Sequence, residues 1–247
     1  MNKSGNVKIA KYLAECGIGS RRGCETLVAG GKVRVNGRVM KNVAERIDPE
    51  TDIVEYAGKE VVIARKVVFA LNKPRGYVST LSDPRAGPTL AGLIPAKYAS
   101  LGLKPVGRLD KDSEGLMLLT NDGALANRIM HPRYGVLKTY RVTLDSAPPE
   151  RVLGVLRRGV HLPDGDKLKP MGTRIVGRGR EAAREIELTL SEGKKREIRR
   201  AFTMFGYEVK TLRRIAIGPV KLGSIRKGSM VELSKSLVKR LNEACKK

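Results

Sequence analysis

The chain has 247 residues, 41% of them hydrophobic, which is enough for one large domain or for a small domain plus a medium one. Its 49 Lys and Arg against 25 Asp and Glu give a formal net charge of +24. Such a charge makes a polyanion the expected partner, with a generic solubility surface as the alternative. No apolar run approaches the about 18 residues of a membrane span, and three cysteines form neither an even framework nor a metal-ligand spacing. We therefore expect a cytoplasmic protein with reduced cysteines and no membrane partner.

Residues 1–60 are predicted to form a small domain of two helices and a hairpin. Apolar residues recur at helical spacing from Ile9 to Cys16, and Ser20 is a candidate N-cap for a second helix. Asn36-Gly37 between alternating segments is a strong hairpin signal. Residues 1–41 hold nine Lys and Arg against two acids. This asymmetry favours an RNA-binding face over an ordinary solvated surface, and its candidate contacts are Lys8, Lys11, Arg21, Arg22, Lys32, Arg34 and Arg38.

Residues 61–66 are interpreted as a short linker, residues 67–235 as a second domain and residues 236–247 as a basic C-terminal tail. Residues 234–247 are predicted to form a basic helix of uncertain role. Strands are predicted at 67–71, 136–144, 186–190 and 209–217, and helices at 124–130, 150–156 and 198–205. Residues 82–95 are predicted to be a long irregular loop that exposes Asp83 and Arg85. Strands outnumber helices and alternate with them irregularly. This indicates an α+β fold with a mixed or largely antiparallel sheet.

The stretch from Gly107 to Gly123 holds the candidate chemistry. A charged loop with Asp110, Asp112 and Glu114 precedes a buried apolar run at 116–119. The acids match the first half of a calcium loop, but Asn121 stands where a bidentate Glu is needed. A two-metal nuclease would need further clustered acids or histidines. What remains is a carboxylate beside arginines, which stays ionised and can attack a sugar carbon, or an Asp–Arg pair that only fixes the loop.

Two parts of the sequence resemble known families. The run from Ile9 to Gly37 is similar to the alpha-L RNA-binding domain. The stretch from Gly107 to Gly123 resembles the central motif of pseudouridine synthases, in the rRNA branch that carries an N-terminal alpha-L domain. Further motifs follow the family's order at residues 72–76, 138–140, 192–200 and 209–218. Ser113 replaces the more usual Thr and keeps its hydroxyl, and Ala201 replaces a common Met.

The resemblance implies that a specific uridine in ribosomal RNA is isomerised to pseudouridine without a cofactor or metal. The substrate would be rRNA, with the large-subunit RNA favoured, or a ribosome-assembly intermediate, and the enzyme would be a monomer. Asp110 would be the nucleophile or base at the ribose. Tyr140 would stack on the uracil and help remove the proton from carbon 5. Arg199 would form an ion pair with Asp110.

The resemblance also implies three substrate-binding residues. Arg108 would fill the gap left by the displaced uridine or hold a phosphate, Lys73 would be a positioning group, and Leu212 would form a pocket wall. Asp112 and Glu114 are expected to shape the loop or to face solvent. Alternatives stay open, since Tyr140 could be a core residue and Arg199 a phosphate contact. The rival functions are a non-catalytic rRNA-binding or assembly factor and a metal-dependent nuclease.

Overall fold

A computed structural model describes residues 6–83, 87–176 and 184–245. The chain divides into two compact units. The first comprises residues 1–67, 95–104 and 120–123, and the second comprises residues 68–94, 105–119 and 124–247. Arg85 and the Gly- and Arg-rich segment 177–183 lie outside the described residues. The predicted boundaries at residues 60 and 66 stay a prediction.

The first unit contains two short helices and two small antiparallel sheets. One sheet has the strand order β3-β2-β5-β6, and the other pairs β1 with β4. The elements are β1 Val7–Lys8, α1 Ile9–Glu15, α2 Arg21–Ala29, β2 Val33–Val35, β3 Arg38–Met40, β4 Arg46–Ile47, β5 Val54–Tyr56 and β6 Lys59–Glu60.

Local sequence signals explain the two helices and the hairpin. The Ser20 side chain accepts a hydrogen bond from the Gly23 N–H, so Ser20 is the N-cap of α2 as predicted. The turn between β2 and β3 uses Asn36 and Gly37, both with positive φ, which matches the twist of the hairpin. Within β2, Arg34 is exposed between two buried valines. The hairpin therefore presents a cation on its outer face.

The seven cations predicted to contact RNA are all exposed on this first unit. The cysteines, in contrast, are withdrawn from solvent to different degrees. Cys24 and Cys245 are buried and Cys16 is half-buried, and none of the three forms a disulfide. Burial raises the pKa of the Cys16 thiol to about 11 and also raises the pKa of Cys24 and of Cys245.

Within the described residues, nine strands of the chain form one mixed sheet. The order is β13-β14-β10-β15-β9-β7-β17, with β16 paired to β15 and β8 paired to β9. The β15–β9 pair is parallel, whereas β10 pairs antiparallel with both β14 and β15. These strands are β7 Val68–Lys73, β8 Lys104–Val106, β9 Glu114–Thr120, β10 Lys138–Leu144, β13 Gly172–Ile175, β14 Glu185–Leu190, β15 Val209–Ile217, β16 Val220–Lys221 and β17 Met230–Glu232.

Helices and short elements complete the fold. They are α3 Gly123–Met130, α4 Glu150–Arg158, α5 Glu197–Met204, α6 Lys235–Glu243, the hairpin β11 Val160–His161 with β12 Lys167–Leu168, and the 3₁₀ helices Leu90–Leu93, Ala96–Leu101 and Pro132–Tyr134. The predicted irregular loop at 82–95 thus contains a 3₁₀ turn with a buried Leu90. The described helices are all too short or too polar to cross a membrane. The predicted α+β class with a mixed sheet is confirmed.

The C-terminal helix α6 belongs to a hydrophobic core rather than to a separate tail. Leu241 and Cys245 are fully buried, and Leu237 and Val238 pack against the same cluster. That cluster includes apolar side chains of β7, β9 and α3. The basic tail predicted at 236–247 contains most of α6, whose four apolar positions form one stripe among its basic residues, and the predicted boundary stays a prediction.

Candidate active site

The loop between β8 and β9 carries the three acids of the central motif. It begins at Gly107, whose φ of +76° favours glycine, and it ends where β9 pairs in parallel with β15. At that end the backbone of Gly115 lies against Arg214. A β-carbon at residue 115 would stand 2.3 Å from the Arg214 carbonyl oxygen, so only glycine fits there.

The loop is fixed from beneath by the segment that follows β7. Ser79 Oγ donates to the Leu109 carbonyl at 2.6 Å and accepts from the Leu109 N–H at 3.0 Å. The Gly76 N–H donates to the Lys111 carbonyl at 2.7 Å. These bonds hold both sides of Asp110 on a rigid support, which is what precise placement of a reactive group requires.

Lys73 lies under the loop and does not line the cavity described below. Its side chain is fully buried, and Nζ donates to the carbonyls of Ser113 at 2.7 Å and Pro74 at 3.0 Å. Burial lowers the pKa of this amine to about 8, while Asp112 and Asp110 oppose the shift. Lys73 is thus placed to position the loop, and the structure gives it no contact surface for a substrate.

Arg199 pairs with Asp112, so the predicted ion pair with Asp110 was wrong. Arg199 Nε lies 3.3 Å from Asp112 Oδ2, and Nη2 donates to the Asp112 carbonyl at 3.1 Å. Arg196 Nη1 lies 3.2 Å from the same carboxylate oxygen. Both aspartates lie in the turn closed by the hydrogen bond from the Ser113 N–H to the Asp110 carbonyl, and among the described residues the two arginines pair with Asp112 rather than with Asp110.

Glu114 has its own cationic partners. Lys227 Nζ donates to Glu114 Oε2 at 2.9 Å, and Arg213 Nε lies 4.0 Å from Oε1. Asp112 and Glu114 therefore anchor the loop, as expected for loop-shaping residues. Asp110 differs from both. In the part of the chain that the structure describes, its carboxylate has no hydrogen bond and no ion pair.

A cavity of about 530 Å³ brings together four of the six predicted catalytic and substrate-binding residues. They are Arg108, Asp110, Tyr140 and Leu212. Tyr140 lies on β10, at a register shift where β10 pairs with β15, and its side chain is 8% exposed. Leu212 lies on β15 opposite Val142. Two adjacent strands, the loop and the segment 193–198 that leads into α5 line this cavity, which is called the catalytic cavity below.

Comparison with known proteins identifies the family. Residues 67–203 match the family described as RNA pseudouridylate synthase, and residues 7–53 match the S4 domain.

The chain belongs to the RNA pseudouridylate synthase family.

Full-length relatives agree with this identification. A protein of Aquifex aeolicus described as an uncharacterized RNA pseudouridine synthase is 42% identical over 96% of this chain and 94% of its own length. The "Ribosomal large subunit pseudouridine synthase B" of Bacillus subtilis is 36% identical over 95% of both chains. A solved pseudouridylate synthase structure superimposes with a TM-score of 0.66 at 29% identity, covering 95% of this chain and 99% of that chain. The protein is therefore an RNA pseudouridine synthase with an N-terminal S4 RNA-binding domain, which confirms both resemblances.

Sequence reasoning missed two residues that line the catalytic cavity of the synthase. Ser113 is buried, and its Oγ has no partner among the described residues. Glu197 is also buried. Its Oε1 accepts a hydrogen bond from the Lys194 N–H at 2.8 Å, and its Oε2 has no hydrogen-bond partner among the described residues. Burial raises the pKa of Glu197 to about 7. An acid at the first turn of a helix is ordinary in sequence, so only the packing of α5 distinguishes this one.

Arg196 is the third residue whose importance the sequence did not reveal. It is the N-cap of α5 and has a φ of +50°, which is uncommon for a residue other than glycine. It lines the catalytic cavity and also touches Asp112. Across the described ranges, no group of three or more His, Cys, Asp or Glu side chains could hold a metal ion.

Proposed function

We propose that this synthase isomerises a specific uridine of ribosomal RNA, with the large-subunit RNA as the favoured substrate. The Bacillus subtilis relative that matches nearly the whole chain is named as a large-subunit pseudouridine synthase, which supports this substrate. The net charge of +24 supports a large folded RNA, because Lys and Arg displace counterions from phosphates. We expect the substrate to be free rRNA or an assembly intermediate, bound by a monomer in the cytoplasm.

We infer that Asp110 is the nucleophile or base at the ribose. One observation supports it above the others: of the three loop acids, Asp112 and Glu114 are held by cations, whereas the Asp110 carboxylate has no such partner among the described residues and lines the cavity. A carboxylate that is not already bound to an arginine can approach a sugar carbon without first breaking an ion pair.

The reaction breaks the bond between N1 of uracil and C1′ of the ribose and forms a bond between C5 and C1′. C5 loses a proton and N1 gains one, so the atoms balance without an oxidant or co-substrate. Tyr140 is suited to stack on the uracil and to help move the C5 proton, and Leu212 forms the facing wall. The uridine must leave its stack to enter, at a cost of a few kcal/mol, and Arg108 is placed to fill the gap or hold a phosphate.

Arg199 has a different proposed role from the one that the sequence suggested. Because it bonds both the carboxylate and the carbonyl of Asp112, it would keep the loop in register rather than orient Asp110 directly. Lys73 would do the same from below through the Ser113 carbonyl. Both are positioning residues in this scheme.

The N-terminal domain would recruit the RNA. We propose that its contacts are the seven exposed cations Lys8, Lys11, Arg21, Arg22, Lys32, Arg34 and Arg38. We retain as a proposal the division into an RNA-binding domain at 1–60, a linker at 61–66 and a catalytic domain from residue 67. The core packing of α6 supports extending the proposed catalytic domain beyond residue 235.

The test compares Asp110→Asn with Asp112→Asn. Asp110→Asn should lower pseudouridine formation on rRNA by at least about 10³-fold while leaving RNA affinity and melting temperature close to those of the wild type, since the carboxylate makes no hydrogen bond or ion pair among the described residues. Asp112→Asn should lower both activity and melting temperature, because two arginines lose their partner. Tritium release from rRNA labelled at uridine C5 measures turnover. Full turnover by Asp110→Asn would refute the catalytic role, and an inactive wild type that still binds rRNA would favour a non-catalytic factor.

A further inference from the structure

The catalytic cavity is continuous with two more depressions lined by cations. The first, of about 530 Å³, is lined by Arg75, Gly76, Asp110, Lys111, Asp112 and Arg196. It shares Asp110 and Arg196 with the catalytic cavity. The second, of about 500 Å³, shares Arg75, Asp112 and Arg196 with the first and continues to Arg199 and Lys210. The two depressions together are called the cationic groove below.

The side chains of the groove carry more positive than negative charge. Arg75, Lys111, Arg196, Arg199 and Lys210 face three acids, Asp110, Asp112 and Glu208. Asp112 is shared by Arg196 and Arg199, and Glu208 is bonded to Lys210.

Arg75 and Lys111 stand apart from this network. Both are exposed, and within the described residues their side chains have neither a hydrogen bond nor an ion pair. Burial lowers the pKa of the Arg199 guanidinium. Repulsion from Arg196 and Arg75 lowers it further, whereas attraction to Asp112 and Asp110 opposes the shift. The groove therefore holds like charges close together and has two cations available for an anion.

The position of Asp110 indicates which anion the two available cations would bind. If Asp110 acts at C1′ of the target uridine, the ribose lies at the junction between the catalytic cavity and the groove. The base occupies the side with Tyr140, so the phosphates of that nucleotide must leave on the side with Arg75 and Lys111. An acidic protein segment would match the charge of the groove but would have no reason to begin at Asp110.

We propose that the cationic groove binds the sugar–phosphate backbone beside the target uridine, with Arg75 and Lys111 contacting the phosphate nearest Asp110. This inference rests on the proposed function and adds a site to it. Lys210 and Arg199 lie farther along the groove and meet the next part of the strand. Phosphate contacts fix the register of a nucleic acid without reading its sequence. The groove thus sets which nucleotide stands over Asp110, whereas the S4 domain recruits the RNA.

The test uses Arg75→Ala and Lys111→Ala in the full-length protein. The matched control is Lys221→Ala, an exposed lysine on β16 that lies outside the groove and removes the same charge. All three variants should keep the melting temperature of the wild type. On rRNA from cells that lack this protein, each groove variant should lower kcat/KM by about tenfold or more, mostly through KM, and the control should not. The salt dependence of log kcat/KM should be shallower by about 0.7 for each single-strand phosphate that the variant no longer neutralises.

A second measurement locates the contact on the RNA. Once the modified uridine is mapped, a synthetic RNA with a neutral methylphosphonate next to that uridine should be a poorer substrate for the wild type and no worse than normal RNA for Arg75→Ala. Groove variants that match Lys221→Ala in both kcat/KM and salt dependence would overturn the proposal.

Failure of the proposed function and failure of the groove give different results. A wild type that forms no pseudouridine in any rRNA would overturn the proposed function. The groove would then be judged by equilibrium binding to a labelled single-stranded oligouridine. Arg75→Ala must again show a shallower salt dependence than Lys221→Ala, and equal slopes would rule the groove out as a phosphate site.

Discussion

Glu197 should make the stability of the synthase fall as the pH rises toward neutrality. The residue is 4% exposed, and burial moves the pKa of its carboxyl from 4.5 to about 7. Between these two values the folded protein binds a proton that the unfolded chain has released. Stability therefore decreases with pH across this window, and the full loss is present above about pH 7. We predict that Glu197→Gln removes this dependence.

The size of the effect follows from the pKa. A displacement from 4.5 to about 7 corresponds to about 3 kcal/mol, since each pH unit is worth about 1.36 kcal/mol. For a domain of this size, 1 kcal/mol moves the melting temperature by about 2–4 °C. Glu197→Gln should thus melt about 6–12 °C above the wild type at pH 8 and close to the wild type near pH 5. At the lower pH a protonated Glu and a Gln are matched, because each keeps an acceptor for the Lys194 N–H and places a hydrogen-bond donor in the same unpartnered position.

Scanning calorimetry of both proteins from pH 5 to pH 8 measures the difference. Glu243→Gln is the matched control, because Glu243 is an exposed acid on α6 and is not one of the charged groups that act on Glu197. That control should show the same small offset at every pH. A Glu197→Gln offset that stays constant between pH 5 and pH 8 would show that burial does not perturb this carboxyl.

Two further predictions concern the support of the catalytic loop. Gly115→Ala should destabilise the fold by about 3 kcal/mol or more in denaturant unfolding, because the residue has a φ of +103° and the added β-carbon would collide with the backbone of Arg214. The control Gly123→Ala adds a β-carbon with no atom within 4 Å, so it should be neutral or slightly stabilising. Equal effects of the two substitutions would contradict the close packing of Gly115 against Arg214. Lys73 has its pKa lowered from 10.5 to about 8 by burial, so the unfolded chain holds the proton more tightly and wild-type stability should rise through that window. Relative to Lys73→Met the wild type should gain about 3 kcal/mol from pH 8 to pH 10.5, and a flat difference would show that the amine is not desolvated.

Local signals carried the predictions that succeeded. The Ser20 cap and the Asn36-Gly37 turn each depend on a few neighbouring residues, and each is present in the structure. The buried run of β9 and the strand that carries Tyr140 follow from continuous apolar and alternating patterns.

Long-range pairing explains the predictions that failed. Asp110 and Asp112 stand two residues apart in a motif that also holds Arg108, and the sequence does not show which of them Arg199, about 90 residues later, contacts. Strand β17 is three residues long and was missed, because it is defined by its partner β7 about 160 residues earlier in the chain. The basic residues of α6 concealed the apolar stripe that binds it to the core.

The state of the three thiols has a practical consequence. The thiolate is the form that reacts with alkylating reagents, and burial keeps Cys16, Cys24 and Cys245 protonated at neutral pH. A brief maleimide treatment at pH 7 should therefore leave the native cysteines largely unmodified. A cysteine introduced at the exposed Thr203, on the rim of the cationic groove, would then carry a fluorophore at one known place. The wild-type background is thus already suited to watching RNA arrive at the enzyme in real time.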